Sequence, residues 1–212
     1  MIEEALAAMP AGSPALPELP QPSPVQHDLQ VEEFKEKTQA ILMVGFLGAD
    51  LFSPDRAALE LIDEASSDLG SRFFVRIREE MGLAYFVGSS HMLGLVPGPF
   101  VFYVGTDPTK LTAVQAELMA EIRLLARDGL TAIELARAKE KFLGQLDIRN
   151  QSNDAFAYSS ALDELYGLGC NFHQELRRRV EAVTLDDIRR VANKYFLHQR
   201  AITAIVRPPE PA

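Results

Sequence analysis

The hydrophobic period of this chain shifts along its length, and that shift constrains the fold more than any other feature. Leu29, Val31 and Phe34, then the run Ala40 to Phe46, read as two strands with a polar turn at Lys35 to Lys37. Residues 84–93 and 99–105 read as two more. Phe100-Val101-Phe102-Tyr103-Val104 is apolar throughout, which suits a strand deep in a sheet. From residue 111 to 195 the apolar positions recur at helical spacing instead. One last apolar run, Ala201 to Val206, returns to strand before Pro208 and Pro209. Strands first, then helices, then one closing strand defines an α+β fold, a mostly antiparallel sheet with helices packed on one face. No internal repeat interrupts this order.

The helix boundaries carry their own signals. Ser53-Pro54-Asp55 offers a capping serine, a proline at the first helical position and an acid in the first turn. Ala58, Ile62, Ala65 and Leu69 follow at helical spacing until Gly70. A second helix is predicted over about Ser71 to Met81, with Phe74, Ile77 and Met81 on one stripe and Gly82 as its cap. Leu111, Val114, Leu118, Ile122 and Leu125 form a longer stripe. Thr131 with Glu134 is a capping box that opens a helix burying Leu135, Ala138, Phe142 and Leu146. Further helices are expected over about Asn153 to Tyr166 and Phe172 to Val183. Thr184-Leu185-Asp186-Asp187 caps the last, which carries Ile188, Val191, Ala192 and Tyr195.

Six of the 13 prolines fall between Pro10 and Pro24. Proline fixes φ and lacks an N–H, so residues 13–25 read as an extended linker. Residues 2–9 read as a short helix, and residues 1–12 as the tail of a preceding domain. The domain proper is expected over 26–207, with a disordered tail at 208–212. A chain of 212 residues with 47% hydrophobic and 24% charged content can bury a core without disulfides. A lone Cys170 cannot form an internal bridge and reads as a structural or incidental thiol. The formal net charge of -9 argues against a nucleic-acid partner, which needs a basic stripe. No stretch approaches the ~20 apolar residues of a membrane span, and the acidic start Met1-Ile2-Glu3-Glu4 is unlike a signal peptide.

Catalytic motifs are sparse. There is no GxGxxG, P-loop or nucleophile elbow. His27, His91, His173 and His198 have no second histidine three or four residues away, so no helix offers two imidazoles to one metal. His173-Gln174-Glu175 looks like a piece of a metal helix, but position 177 is Arg177. The expectation is therefore no metal and no cofactor in this chain.

One segment stands apart, Gly70-Ser-Arg-Phe-Phe-Val-Arg-Ile-Arg-Glu-Glu-Met-Gly-Leu-Ala-Tyr85. On a helical wheel Arg78 lies at the edge of the apolar stripe, while Arg72 and Arg76 point away from it. Tyr85 follows just after the Gly82 cap, where the chain enters a strand. A guanidinium fork and a phenol O–H at such a corner suit a peptide carbonyl or a developing oxyanion. The residues alone favour a plainer description, a salt bridge from Arg78 to Glu79 or Glu80 and a half-buried tyrosine, since most Arg and Tyr are structural.

The same segment resembles the second-half signature of the pitrilysin/insulinase family of zinc metallopeptidases, which includes the mitochondrial processing peptidases. Gln39 to Gly48 and Pro54 to Leu69 match the strand and helix before that signature. Glu134-Leu-Ala-Arg-Ala-Lys139 with Gly144-Gln-Leu146 resembles a later helix. Val183-Thr-Leu-Asp-Asp-Ile188 with Val191-Ala-Asn-Lys-Tyr195 resembles the last one. The likeness covers roughly residues 26–207.

It implies two homologous α+β halves joined by a linker around a closed chamber. The first half holds zinc through an inverted His-x-x-Glu-His motif and a later Glu. The second, without metal, contributes an Arg and a Tyr that hold the substrate backbone. By position these are Arg78 and Tyr85. The inverted zinc motif is absent here. The resemblance thus implies a non-catalytic C-terminal domain of a zinc metalloendopeptidase, with zinc in a missing N-terminal half or partner. The partners it implies are that zinc-bearing half and a peptide substrate; when isolated, such a half should form a homodimer or show a large hydrophobic patch. The alternative is a separate non-catalytic subunit, or a binding or scaffold module, that pairs with a zinc-bearing chain.

Overall fold

The structure is a computed structural model that describes residue 7, residues 18–23 and residues 25–209. The expected helix at 2–9 apart from residue 7, residues 13–17 and 24 of the linker and the last three residues lie outside the described residues. Five strands form one sheet in the order β1-β5-β2-β4-β3. They are β1 (Leu29–Phe34), β2 (Ala40–Leu47), β3 (Ala84–His91), β4 (Pro99–Thr106) and β5 (Ile202–Arg207). The closing strand β5 inserts between β1 and β2, parallel to the first and antiparallel to the second. The turn at Lys35–Lys37 therefore joins two strands that do not pair. Its Lys35 N–H donates to the Arg207 carbonyl instead, at 2.9 Å.

Helices cover one face of the sheet. They are α1 (Arg56–Ser66), α2 (Phe74–Glu80), α3 (Leu111–Asp128), α4 (Ala132–Arg149), α5 (Asn153–Leu165), α6 (Phe172–Ala182) and α7 (Leu185–Ala192). Both capping boxes form: the Glu134 N–H donates to Thr131 Oγ1 at 3.2 Å, and the Asp187 N–H to Thr184 Oγ1 at 3.2 Å. Each satisfies a backbone donor that the first helical turn leaves without a partner.

The core lies between helices and sheet. Leu42, Val44 and Phe46 of β2 and Phe100, Phe102 and Val104 of β4 are buried there with Leu59, Ile62, Leu118, Ile122 and Ile188. The Phe100 and Phe196 rings meet at 4.9 Å, and Phe73 packs on Phe102 at 5.2 Å. The uniformly apolar β4 is an interior strand, as its sequence implies. Only its alternate residues enter this core, however; Val101 and Tyr103 look out from the other face.

Two local expectations change. The helix α1 begins at Arg56 with Asp55 as its cap residue, and no side chain caps it. Ser53 Oγ accepts the Asp55 N–H instead, at 3.2 Å. The Asp55 carboxylate serves a distant partner set: Arg190 Nη1 donates at 2.8 Å, Lys194 Nζ at 2.6 Å and the Tyr195 hydroxyl at 3.2 Å. The second change is in α2, which is π-wound, as is Asn193–Leu197 after α7. A π-helix closes its bonds over five residues, and the Met81 N–H donates to the Arg76 carbonyl. The wider winding buries Phe73, Phe74 and Ile77 but leaves Met81 outside, 40% exposed. The 3.6-residue stripe therefore fails at its last position.

Candidate functional site

The corner between α2 and β3 is tied down by backbone bonds. The Gly82 N–H donates to the Arg78 carbonyl at 3.1 Å and the Leu83 N–H to the Ile77 carbonyl at 2.9 Å. Gly82 turns the chain at φ +61°, where glycine carries no side-chain penalty. Thr106 Oγ1 holds the Leu83 carbonyl at 2.5 Å, and Lys110 Nζ holds the Gly82 carbonyl at 2.9 Å. A well-held turn thus separates the helix carrying Arg78 from the strand carrying Tyr85.

Arg78 is exposed. Its guanidinium lies over the Phe74 ring, 4.8 Å from the centroid. That stacking steadies the stem while leaving the N–H donors outward. Among the described residues no carboxylate pairs with Arg78. Glu80, an expected partner, is taken by Arg76 at 3.0 Å. Arg76 also reaches Glu117 at 2.6 Å.

Arg72 lies off the apolar stripe, as the wheel implies, and has partners of its own. It does not point into solvent but grips Glu134 of α4, Nε to Oε1 at 2.9 Å and Nη2 to Oε2 at 2.6 Å. It also donates to the Gly129 carbonyl at 3.0 Å. Its role is architectural, a two-pronged clamp between the signature segment and the capping box of α4.

Tyr85 sits at an irregularity. Ala84 pairs with Thr106 and Phe86 with Gly105, so Tyr85 is the extra residue of a β-bulge. A bulge re-aims side chains. Here Ala84 packs against the core and Val87 is buried in it, so both residues between them turn to the open face. Tyr85 is 49% and Phe86 39% exposed. No hydrogen bond joins the Arg78 and Tyr85 side chains among the described residues.

That open face is largely apolar. The register aligns Val31, Ala204, Met43, Tyr103 and Gly88 in one row across the five strands. A parallel row holds Glu33, Val206, Ile41, Gly105 and Phe86. A hollow of about 470 Å³ at one end of the face is lined by Pro22, Val25, Met43, Val101, Arg200 and Ile202. Pro22, Ser23 and Val25 of the expected linker therefore border the sheet. Phe86 and Tyr103 carry no motif. Their only signal is a glycine inside each neighbouring strand, Gly105 and Gly88.

Behind β3 lies a polar anchor that the sequence does not announce. The Asp63 carboxylate accepts from Ser89 Oγ at 2.5 Å, from the His91 N–H at 3.1 Å and from Ser67 Oγ at 3.3 Å. Burial pushes the Asp63 carboxyl up, against these hydrogen bonds. Burial also holds the His91 imidazole down to about 4, and the Arg56 charge adds to the effect. Its Nε2 accepts the Ala49 N–H at 3.3 Å, which requires a neutral ring at that atom. This network fastens the edge strand to α1 beneath the surface.

Among the described residues no three His, Cys, Asp or Glu side chains converge on a point where they could hold a metal ion. His91 is engaged with Ala49, and His173 stacks edge-on against Phe156 at 5.1 Å. These residues do not make up a zinc-ligand set. Nor, among the described residues, is any helix long and apolar enough to cross a membrane.

The sheet thus carries helices on one face and leaves an open apolar face on the other, with Arg78 and Tyr85 exposed at its corner. The chain belongs to the peptidase M16 inactive domain family, whose profile matches residues 1–142. It is 27% identical over 183 residues to the uncharacterized zinc protease YmxG of Bacillus subtilis, covering 86% of this chain and 45% of that protein. An uncharacterized zinc protease of Rickettsia bellii is 28% identical over 181 residues, covering 82% of this chain and 42% of that one. The chain thus spans less than half the length of these relatives. In fold it is similar to a peptidase M16 inactive domain from Pseudomonas fluorescens, with TM-score 0.82, 23% identity, and coverage of 93% of this chain and 47% of that one. It is also similar to an inactive peptidase domain from Bordetella parapertussis, with TM-score 0.72, 20% identity, and coverage of 85% and 99%.

Proposed function

We propose that this domain closes the peptide chamber of a zinc metalloendopeptidase and orients the substrate through Arg78 and Tyr85. The zinc and the attacking groups belong to a second, catalytic half, which is either fused to this domain or carried by a partner chain. Arg78 and Tyr85 hold the peptide backbone. Their guanidinium and phenol donors stabilise negative charge that develops on the scissile carbonyl oxygen. The open edge of β3 lets an extended peptide add as a further strand.

The observation that carries this reading is the bulge at Tyr85. It turns a polar-tipped aromatic out of the strand alternation and onto the open face, beside the held turn that leads from Arg78. The apolar open face supports the chamber role. Leu29, Val31, Met43 and Ile202 remain exposed on it, as expected of a surface that another domain covers.

The test is kinetic, in the protein that contains both halves. Tyr85→Phe and Arg78→Ala should each lower kcat/KM by ~10²–10³, the size of losing one oxyanion donor. Rates unchanged in both variants reject the role of the pair.

A further inference from the structure

On the open face, two aromatic rings lie over two glycines. Phe86 faces Gly105 directly across the ladder, and Tyr103 faces Gly88. A Cβ at Gly105 would come within 2.3 Å of Phe86 Cε1, and one at Gly88 within 2.8 Å of the Tyr103 hydroxyl oxygen. Both glycines are themselves buried beneath these rings. The ring centroids are 6.2 Å apart at an interplanar angle of 54°. The result is a shelf of two rings, one on each strand, directly beside the bulge that carries Tyr85.

We infer that Phe86 and Tyr103 form a side-chain subsite that selects a large apolar residue of the peptide; this rests on the reading of Arg78 and Tyr85 given above. The bulge places Tyr85 and Phe86 on one face as chain neighbours, so a peptide backbone gripped at Tyr85 runs alongside the Phe86 ring. In an extended peptide alternate side chains point the same way, and one of them meets the shelf. The electrostatics choose its chemistry. In the row that contains Phe86 the one charged residue is Glu33, on β1 at the far edge of the sheet. The row that contains Tyr103 has no charged residue. A charged side chain placed here would lose water and meet no opposite charge from the neighbouring residues of these two rows. An aromatic or long aliphatic one would gain ring contacts. Ring-on-glycine pairs also stabilise edge strands, so the test must read preference and not only folding.

The experiment uses the 212-residue chain, labelled for NMR, and two extended ten-residue peptides that differ at one central position, Phe against Ser. Wild type should bind the Phe peptide roughly tenfold or more tightly, the scale of apolar discrimination in a pocket. Phe86→Ala should cut that ratio to about twofold and leave the Ser peptide unaffected. Phe86→Leu, a milder change, should retain a substantial part of the preference if Phe86→Ala fails to fold. Arg78→Ala should weaken both peptides alike. Peptides that bind through Arg78 and Tyr85 with a ratio unmoved by Phe86→Ala and Phe86→Leu overturn this inference alone. Peptides that do not bind at all overturn it together with the reading on which it rests.

Discussion

Lys194 Nζ donates to Asp55 Oδ2 at 2.6 Å, joining the start of α1 to the π-wound segment after α7 across 139 residues of sequence. Asp55 is only 3% exposed, and Arg190 and Tyr195 complete its shell. Burial alone would raise its pKa, but the hydrogen bonds and charges of Lys194 and Arg190 outweigh that and hold it below the ordinary carboxylate value. Replacing it removes the acceptor for three donors, although the two cations are half-exposed and can turn to water. Asp55→Ala should therefore cost about 2 kcal/mol. Because the folded pKa is depressed, this contribution is present at neutral pH and lost as pH falls through the carboxylate range. Urea midpoints at pH 7 and pH 3 check it: the gap between wild type and variant should be wide at the first and narrow at the second.

The Arg72–Glu134 clamp should show energetic coupling. A double-mutant cycle with Arg72→Ala and Glu134→Gln should return about 1–2 kcal/mol, since the pair is two-pronged and partly sheltered. A coupling near zero would mean that the clamp is incidental to stability.

The half-buried His91 makes a pH-dependent contribution. Its folded pKa of about 4 lies below the ordinary value of 6.5. As pH falls from about 6.5 to 4 the unfolded chain takes up this proton and the folded one does not, so the His91 contribution drops across that window, by about 3 kcal/mol at most. Asp63 and Glu60, whose carboxyls are pushed up by burial, act with the opposite sign as they protonate. The readout must therefore be specific to the residue. An NMR titration of the His91 ring should show a midpoint near 4; one near 6.5 contradicts the burial argument.

Gly82 is required by its backbone. Nothing lies within 4 Å of a Cβ built there, so the cost of Gly82→Ala is conformational strain at φ +61° and not a clash. Thermal unfolding should register about 1 kcal/mol. A neutral result would mean that the turn relaxes, which would also loosen the path from Arg78 to Tyr85.

Arg78 and Tyr85 should behave unlike all of these. Both side chains are exposed, and Arg78 rests on the Phe74 ring. Arg78→Ala and Tyr85→Phe should each change stability by less than about 1 kcal/mol. A large loss in a thermal melt would make them structural residues instead.

Most helices and all strands were legible because their signals are local. The capping box Thr131/Glu134 and the stripe from Leu111 to Leu125 each lie within a few turns of one segment. The signature from Gly70 to Tyr85 was legible for the same reason, and it led to the family. The winding of α2 was not legible, because 3.6 and wider periods diverge only at the last apolar position, Met81. Asp55 read as a first-turn acid because its partners lie 135 to 140 residues away.

What the sequence by itself determined is therefore the kind and order of the elements, the caps that begin them and the residues that mark the corner at Arg78 and Tyr85. The tertiary structure alone decided that β5 enters between β1 and β2, that Arg72 closes on Glu134, and that Tyr85 bulges out beside Phe86. The physical reason is range. Backbone propensity, capping and hydrophobic period act over a few residues and are written in consecutive letters. Strand order, register and the partners of a buried charge are settled by contacts between distant segments, and no single segment contains them.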